Sequence, residues 1–298
     1  MHQLWGDCYS TWFQQLEQRG FTCESGHLSL IPLDQQLAYA YFVPPQPQAC
    51  TVLLHGTGND ALFGWQSWIE ALLAAGQAVL TFDLEGHGRS SRSWLERPTF
   101  GRSLEALAVK LRELTWSPAS ISICAYSLGA LAAMKAMSEE TIQVGRLVIL
   151  GMPLGLRLDW RFAVTEALSI LHPLFWHHLW RYGWHASMPA FGSWRRHLYP
   201  IRLRGFASGH YSAAIAELFT RYDAVALAAR IDRPVLLLYG TKDRLSSERD
   251  QTLLQQTLSQ AKLIRVKGCN HFLLAWHPEA LRATLAFLEA AEPEPSLR

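Results

Sequence analysis

Among the residues of this 298-residue chain, Ser127 is the one whose type and setting best suit it to chemistry. It stands at the centre of Ala125-Tyr126-Ser127-Leu128-Gly129, after the apolar run Ser120 to Ala125 and before a helical stretch carrying Leu128, Leu131, Met134 and Lys135. A serine on so sharp a strand-to-helix turn demands small residues two positions to either side, and Ala125 and Gly129 supply them. The turn lifts Oγ above a sheet at a helix N-terminus, where the helix dipole favours developing negative charge. A serine hydroxyl is a poor nucleophile until a base takes its proton, so such a site also needs a histidine and a group that orients it. Asp243 and His271 each stand just beyond a late apolar run, Val235 to Tyr239 and Lys262 to Val266. Each of the three has a plainer reading as well: Ser127 as a helix N-cap, Asp243 as a surface-turn aspartate, His271 as a loop histidine.

The pentapeptide resembles the nucleophile elbow of the α/β-hydrolase family, G-x-S-x-G, with Ala125 in place of the first glycine, a departure of one methyl. His55-Gly56-Thr57-Gly58 looks like the family's H-G loop after its third strand; the plainer reading is a Gly-rich turn, and the Lys and Ser/Thr of a P-loop are missing. Asp83-Leu84-Glu85-Gly86-His87-Gly88-Arg89-Ser90 is similar to the family's D-x-x-G-x-G-x-S loop. Asp243 and His271 follow the strands after which the family carries its acid and base, and the chain order Ser, Asp, His is the family's. The resemblance spans nearly the whole chain outside the first twenty residues and the long insertion described below. It implies Ser127 as nucleophile, His271 as base and Asp243 as the orienting carboxylate, with the amides of Thr57 and Leu128 as oxyanion hole. Asp83 is then a structural acceptor for backbone donors, and His87 a loop histidine that holds neighbouring backbone.

The elements that must position these residues are short apolar runs alternating with helical stretches. Leu28 to Pro32 and Leu37 to Val43 read as a hairpin turning at Asp34-Gln35, and Thr51 to His55, Ala78 to Asp83, Ser120 to Ala125, Arg146 to Leu150, Pro234 to Tyr239 and Lys262 to Val266 as buried strands. Helices are predicted at Trp65 to Ala75, Ser103 to Leu114, Leu128 to Met137, Glu248 to Leu258 and Pro278 to Ala290. Such alternation implies right-handed crossovers. The expected architecture is α/β: an α/β-hydrolase fold with a mostly parallel eight-stranded sheet, helices on both faces and an inserted helical cap. The segments are an N-terminal helix over 1–20, core over 21–151 and 231–291, the cap over 152–230 and a tail over 292–298. Leu4, Cys8, Trp12 and Leu16, beside Trp5 and Phe13, mark the first helix as amphipathic, with too few basic residues on its polar face for a membrane surface.

Composition excludes several function classes. With 49% hydrophobic and 17% charged residues and a net charge of +2, the chain is globular and ill suited to nucleic acid. Cys8, Cys23, Cys50, Cys124 and Cys269 form no CxxC pair and read as reduced thiols. Neither a signal peptide nor a membrane-spanning run is evident, so the cytoplasm is expected. No metal or organic cofactor is implied.

The cap sets the expected substrate. It carries Trp160, Phe162, Phe175, Trp176, Trp180, Trp184, Phe191, Trp194, Phe206 and Phe219, which serve either as a small core or as walls of an apolar pocket. Arginines 157, 161, 181, 195, 196, 202 and 204 and histidines 172, 177, 178, 185 and 197 lie among them, as a charged surface or as a clamp for an anionic group. The resemblance is greatest to the monoacylglycerol lipase and esterase branch. A carboxylesterase acting on an apolar acyl ester is expected first, a thioesterase or acyltransferase second. A catalytically silent binding protein of the same fold is the alternative outside enzymology. Serine at the elbow argues against dehalogenases and epoxide hydrolases of this fold, which need a carboxylate nucleophile, and a basic cap argues against an aminopeptidase. The partner is a small ester or thioester; oligomeric state is not legible.

Overall fold

Apolar runs bounded by turns gather into one sheet because each can bury both faces beneath helices. The computed structural model describes residues 2–30, 35–57, 60–85, 87–90, 100–155, 160–183 and 208–290. Its strands are β1 (Thr22–Leu30), β2 (Gln35–Val43), β3 (Ala49–Leu54), β4 (Gln77–Phe82), β5 (Ile121–Tyr126), β6 (Arg146–Leu150), β7 (Val235–Gly240) and β8 (Ala261–Val266), in the order β1-β2-β4-β3-β5-β6-β7-β8. β2 is antiparallel to β1 and β4, and every later pairing is parallel. This is the expected eight-stranded sheet, hairpin in front and parallel strands behind.

The hairpin is longer than the apolar pattern predicts, since β1 begins at Thr22 rather than near Leu28. Its first half, Thr-Cys-Glu-Ser-Gly-His, is an edge with alternating exposed and half-buried positions, so hydrophobicity does not reveal it. Tyr39 of β2 covers Gly26, where an added methyl would lie 2.9 Å from the ring. The predicted turn at Asp34-Gln35 falls partly outside the described residues; Gln35 itself pairs with Leu30.

Helices cover both faces. α1 (His2–Gln18), α2 (Gln66–Ala74) and α10 (Pro278–Glu289) pack on one, contributing Trp5, Phe13, Leu16, Trp68, Ile69 and Ala280 to its core. α3 (Arg102–Glu113), α4 (Leu128–Ser138) and α9 (Glu248–Thr257) pack on the other, through Leu104, Leu107, Leu131, Met134 and Leu254. α1 thus packs on the domain, with a buried stripe of Trp5, Tyr9, Trp12, Phe13 and Leu16; Leu4 is only partly buried, and the Cys8 side chain lies outside what is described. Each such fully buried side chain contributes about 1.5–3 kcal/mol.

Between β6 and β7 lie α5 (Trp160–Ala167), a 3-10 turn at Leu168–Leu171, α6 (Pro173–Tyr182), α7 (Ser208–Arg221) and α8 (Ala224–Ala228). Their aromatics divide: Phe175 and Phe219 are buried, whereas Trp160, Trp176 and Trp180 face outward. Trp184, Phe191, Trp194 and Phe206 lie outside the described residues, as does the tail.

Candidate active site

One residue separates the end of β5 from the start of α4, and it is Ser127. Its φ of 51° and ψ of −113° put it in a region that side-chain-bearing residues rarely occupy. The surroundings hold it there: Ser127 N donates to Leu150 O at 2.9 Å, and the residue is 5% exposed. Two positions on, Gly129 fits because a methyl there would stand 2.5 Å from His55 O and 2.8 Å from Leu54 O, both backbone. Gly129→Ala is therefore expected to cost about 1–3 kcal/mol of stability by overpacking, measured as a lower urea midpoint. On the other flank Ala125 is fully buried on β5, the strand paired between β3 and β6, so the departure from glycine is accommodated.

The H-G loop lies against this elbow. A methyl on Gly56 would come 2.7 Å from the Tyr126 ring and 3.1 Å from Ser127 Cβ. His55 Nδ1–H donates to Gly56 O at 2.8 Å, and Nε2 accepts from Leu84 N at 2.9 Å, which fixes the tautomer. Burial pushes this imidazole well below its ordinary pKa, so it is neutral. Thr57, half-buried, is next in the chain after Gly56, and Leu128 opens α4, so both predicted oxyanion donors adjoin residues in contact at the elbow.

The loop after β4 is structural, as its residues suggest. Asp83 accepts from Ala61 N at 2.7 Å and from Arg89 N, and Ser90 Oγ donates to Asp83 O at 2.7 Å. Burial raises the Asp83 carboxyl to about 8, with Asp60 adding to the effect. His87 Nδ1–H donates to Glu85 O at 2.8 Å, and burial lowers the ring to about 4.

Asp243 and His271 meet beyond the carboxyl ends of β7 and β8. His271 Nδ1–H donates to Asp243 Oδ2 at 2.9 Å, while Asp243 Oδ1 accepts from Leu245 N at 2.8 Å. With Nδ1 holding the proton, Nε2 presents the ring's lone pair. Burial alone would lower the His271 pKa, but the charge and hydrogen bond of Asp243, with Glu166 beyond it, hold it above 6.5. Gly151 makes room for the pair: a methyl on it would lie 3.0 Å from His271 Nδ1 and 3.4 Å from Asp243 Oδ2. Leu150, just before Gly151, is the residue whose carbonyl holds Ser127 N. From the elbow side, Tyr126 donates its hydroxyl to His271 O at 3.1 Å and packs its ring 5.0 Å from the imidazole. His271 and Asp243 are thus bonded directly; the chain next to Leu150, which holds Ser127 N, and Tyr126, which precedes Ser127, both touch the pair. No Ser127–His271 hydrogen bond is formed among the described residues; in substrate-free sites such bonds are often long.

Residues 51–284 match the family described as "Alpha/beta hydrolase family". The chain belongs to that family. One relative is a pimeloyl-[acyl-carrier protein] methyl ester esterase of Aromatoleum aromaticum, 28% identical over 258 residues, covering 76% of this hydrolase and 93% of the relative. An esterase of Mycobacterium tuberculosis is 34% identical over 100 residues, 33% of this chain and 31% of that one. Among solved structures, a bromoperoxidase of Bacillus anthracis superposes with a TM-score of 0.65 at 21% identity, covering 90% of this chain and 100% of the other; at that identity it speaks for the fold.

Four residues of this hydrolase's site escape sequence reasoning: Tyr126, Gly151, Glu166 and Asn270. Tyr126 and Asn270 sit beside predicted site residues, and adjacency was their only signal. Glu166 lies in the insertion with no motif around it. Among the described residues, three basic side chains of the insertion are engaged away from His271. Arg181 bonds Glu70 at 2.6 Å, the Arg161 guanidinium lies 5.6 Å from the Trp160 ring centre, and His172 caps α6. His178 is buried and His177 exposed; arginines 157, 195, 196, 202 and 204 and histidines 185 and 197 lie outside the described residues. Among the described residues no group of three or more His, Cys, Asp or Glu converges as metal ligands would, and no helix is long and apolar enough to cross a membrane.

Proposed function

We propose that this hydrolase cleaves carboxylic esters with an apolar acyl group through Ser127, His271 and Asp243. The observation that carries the reading is the 2.9 Å Asp243–His271 bond beside a serine in a strained strand-to-helix turn. His271 Nε2 takes the Ser127 proton as Oγ attacks the ester carbonyl, and Asp243 stabilises the imidazolium that forms. The amides of Thr57 and Leu128 receive the oxyanion, each contributing roughly 2.7–4 kcal/mol to the barrier reduction. His271 then protonates the leaving alcohol, an acyl group remains on Ser127, and water activated by the same ring releases the acid.

Two esterases among the relatives support ester chemistry, one of them named for a methyl ester on an acyl-carrier protein. Phe162, 6.4 Å from the His271 ring, supports an apolar acyl side. Among the described residues the thiols of Cys23, Cys50, Cys124 and Cys269 are free, which suits a reducing compartment such as the cytoplasm.

A fluorophosphonate probe tests the reading: it is expected to label Ser127 and to leave Ser127→Ala unlabelled. A folded wild-type protein that takes no label would return the chain to the silent binding class. Matched p-nitrophenyl esters and acyl-CoA thioesters then separate the two chemistries, and turnover of thioesters alone would replace esterase with thioesterase. The pH profile follows from the raised His271 pKa. The ring must be neutral to accept a proton, so kcat/KM is expected to rise with pH through a midpoint above 6.5. A midpoint below that value would contradict the Asp243 pairing.

A further inference from the structure

His271 is the N-cap of the short helix Phe272–Trp276, yet its side chain makes no capping bond there. Its ring is turned to Asp243 instead, which leaves the first amides of that turn in need of another acceptor. The acceptor comes from the insertion: Phe272 N donates to Glu166 Oε2 of α5 at 2.7 Å. On the other side of His271, Asn270 Nδ2 donates to Thr165 O at 3.0 Å and to Ser169 Oγ at 2.7 Å, and Asn270 Oδ1 accepts from Leu273 N at 3.0 Å. Asn270 and Ser169 are 4% and 2% exposed. Both chain neighbours of the histidine are therefore fastened to one stretch, Thr165–Ser169, more than a hundred residues away in sequence.

We propose that Glu166, together with Asn270, is a positioning residue for His271: α5 fixes the loop that carries the imidazole and sets a second carboxylate, beyond Asp243, facing it. This rests on the reading of His271 as the general base. The groups that face Glu166 are His271, Asp243, Tyr126 and Cys269, so the imidazole is the cation its charge acts upon. Its Oε1 is buried without a hydrogen bond of good geometry, and the backbone amides that act on the carboxylate are those of Phe272 and of His271 itself. Burial raises this carboxyl to about 7, so its charge develops across neutral pH, and that charge is among the causes that raise the His271 pKa. Glu166 therefore acts twice, by holding the Phe272 amide in either protonation state and by favouring the imidazolium as it ionises.

The test compares Glu166→Gln, Glu166→Ala and Asn270→Ala in the full chain. Two readouts are needed: kcat against pH with a p-nitrophenyl ester, and the imidazole titration of His271 by NMR without substrate. Glu166→Ala and Asn270→Ala are expected to lower kcat about 10-fold, since small misplacements of a reacting group cost that much or more. Glu166→Gln keeps a carbonyl oxygen for Phe272 N–H and is expected to recover kcat to within about 3-fold, yet to lower the His271 midpoint by roughly half a unit. Wild-type kcat in Glu166→Ala would overturn the proposal. So would a Glu166→Gln protein whose His271 titrates as in wild type. If wild-type protein neither labels with fluorophosphonate nor hydrolyses esters, the hydrolase reading fails separately, and the NMR titration still decides whether Glu166 governs the ring.

Discussion

Ser127→Ala is expected to lower kcat by about 10^4- to 10^6-fold while leaving the unfolding midpoint close to wild type. The size follows from the proposed chemistry, since the neighbouring Tyr126 hydroxyl is already bonded to His271 O and His271 without a nucleophile can only activate water poorly. The stability side follows from the geometry. Alanine retains the Cβ and so the same backbone strain at φ 51°. The Ser127 N–H to Leu150 O bond belongs to the backbone and survives. Residual turnover would come from the oxyanion donors and binding alone. Purified variant carrying more than about a tenth of wild-type activity would remove Ser127 from the reaction, since losing a triad nucleophile costs far more than that.

Asp243→Asn is expected to lower kcat by about 10^4-fold, comparable to the loss seen when an analogous triad aspartate is replaced. Both carboxylate oxygens are in use, Oδ2 by His271 Nδ1–H and Oδ1 by Leu245 N. Asparagine has one oxygen and one NH2 in that space. If the oxygen stays with Leu245 N, the NH2 faces His271 Nδ1 and selects the opposite tautomer, with the proton on Nε2 and no base for Ser127. If the oxygen turns to His271, the Leu245 amide loses its acceptor, at a cost of about 1–3 kcal/mol. Either way the charge that raises the His271 pKa is gone, so the residual activity should have its acid limb at lower pH than wild type. Near-normal kcat with an unmoved acid limb would exclude Asp243 as the orienting group.

The sequence makes the sheet legible where strands are buried on both faces, because unbroken apolar runs such as Val235 to Tyr239 have few other uses. It hides the start of β1, whose polar edge residues carry no such pattern. The chemistry was similarly uneven. Ser127, Asp243 and His271 could be named because each stands just beyond a recognisable strand, and the structure puts the last two in contact. Glu166 could not, because its contact with the His271 loop depends on how the insertion folds back, and no periodicity encodes a single pairing between distant segments. The aromatics of the insertion divide in a way their spacing does not announce. Trp160, Trp176 and Trp180 are exposed, whereas Phe175 and His178 pack inward. Helical spacing on α6 distinguishes those faces only once its partner surface is known.

That partner surface is Trp276, at the end of the turn that begins beside His271. The His178 ring stacks on it at 4.3 Å and 12°, Phe175 lies 6.2 Å away, and Phe63 and Phe272 complete the surround at 6.1 and 4.5 Å. Trp68 of α2 donates to the preceding carbonyl, Ala275 O. Peeling α6 away would strip an indole that the body of the domain also grips. In hydrogen-exchange terms, the α6 amides should open with the Phe272–Trp276 turn as one cooperative unit, not as a freely fraying flap.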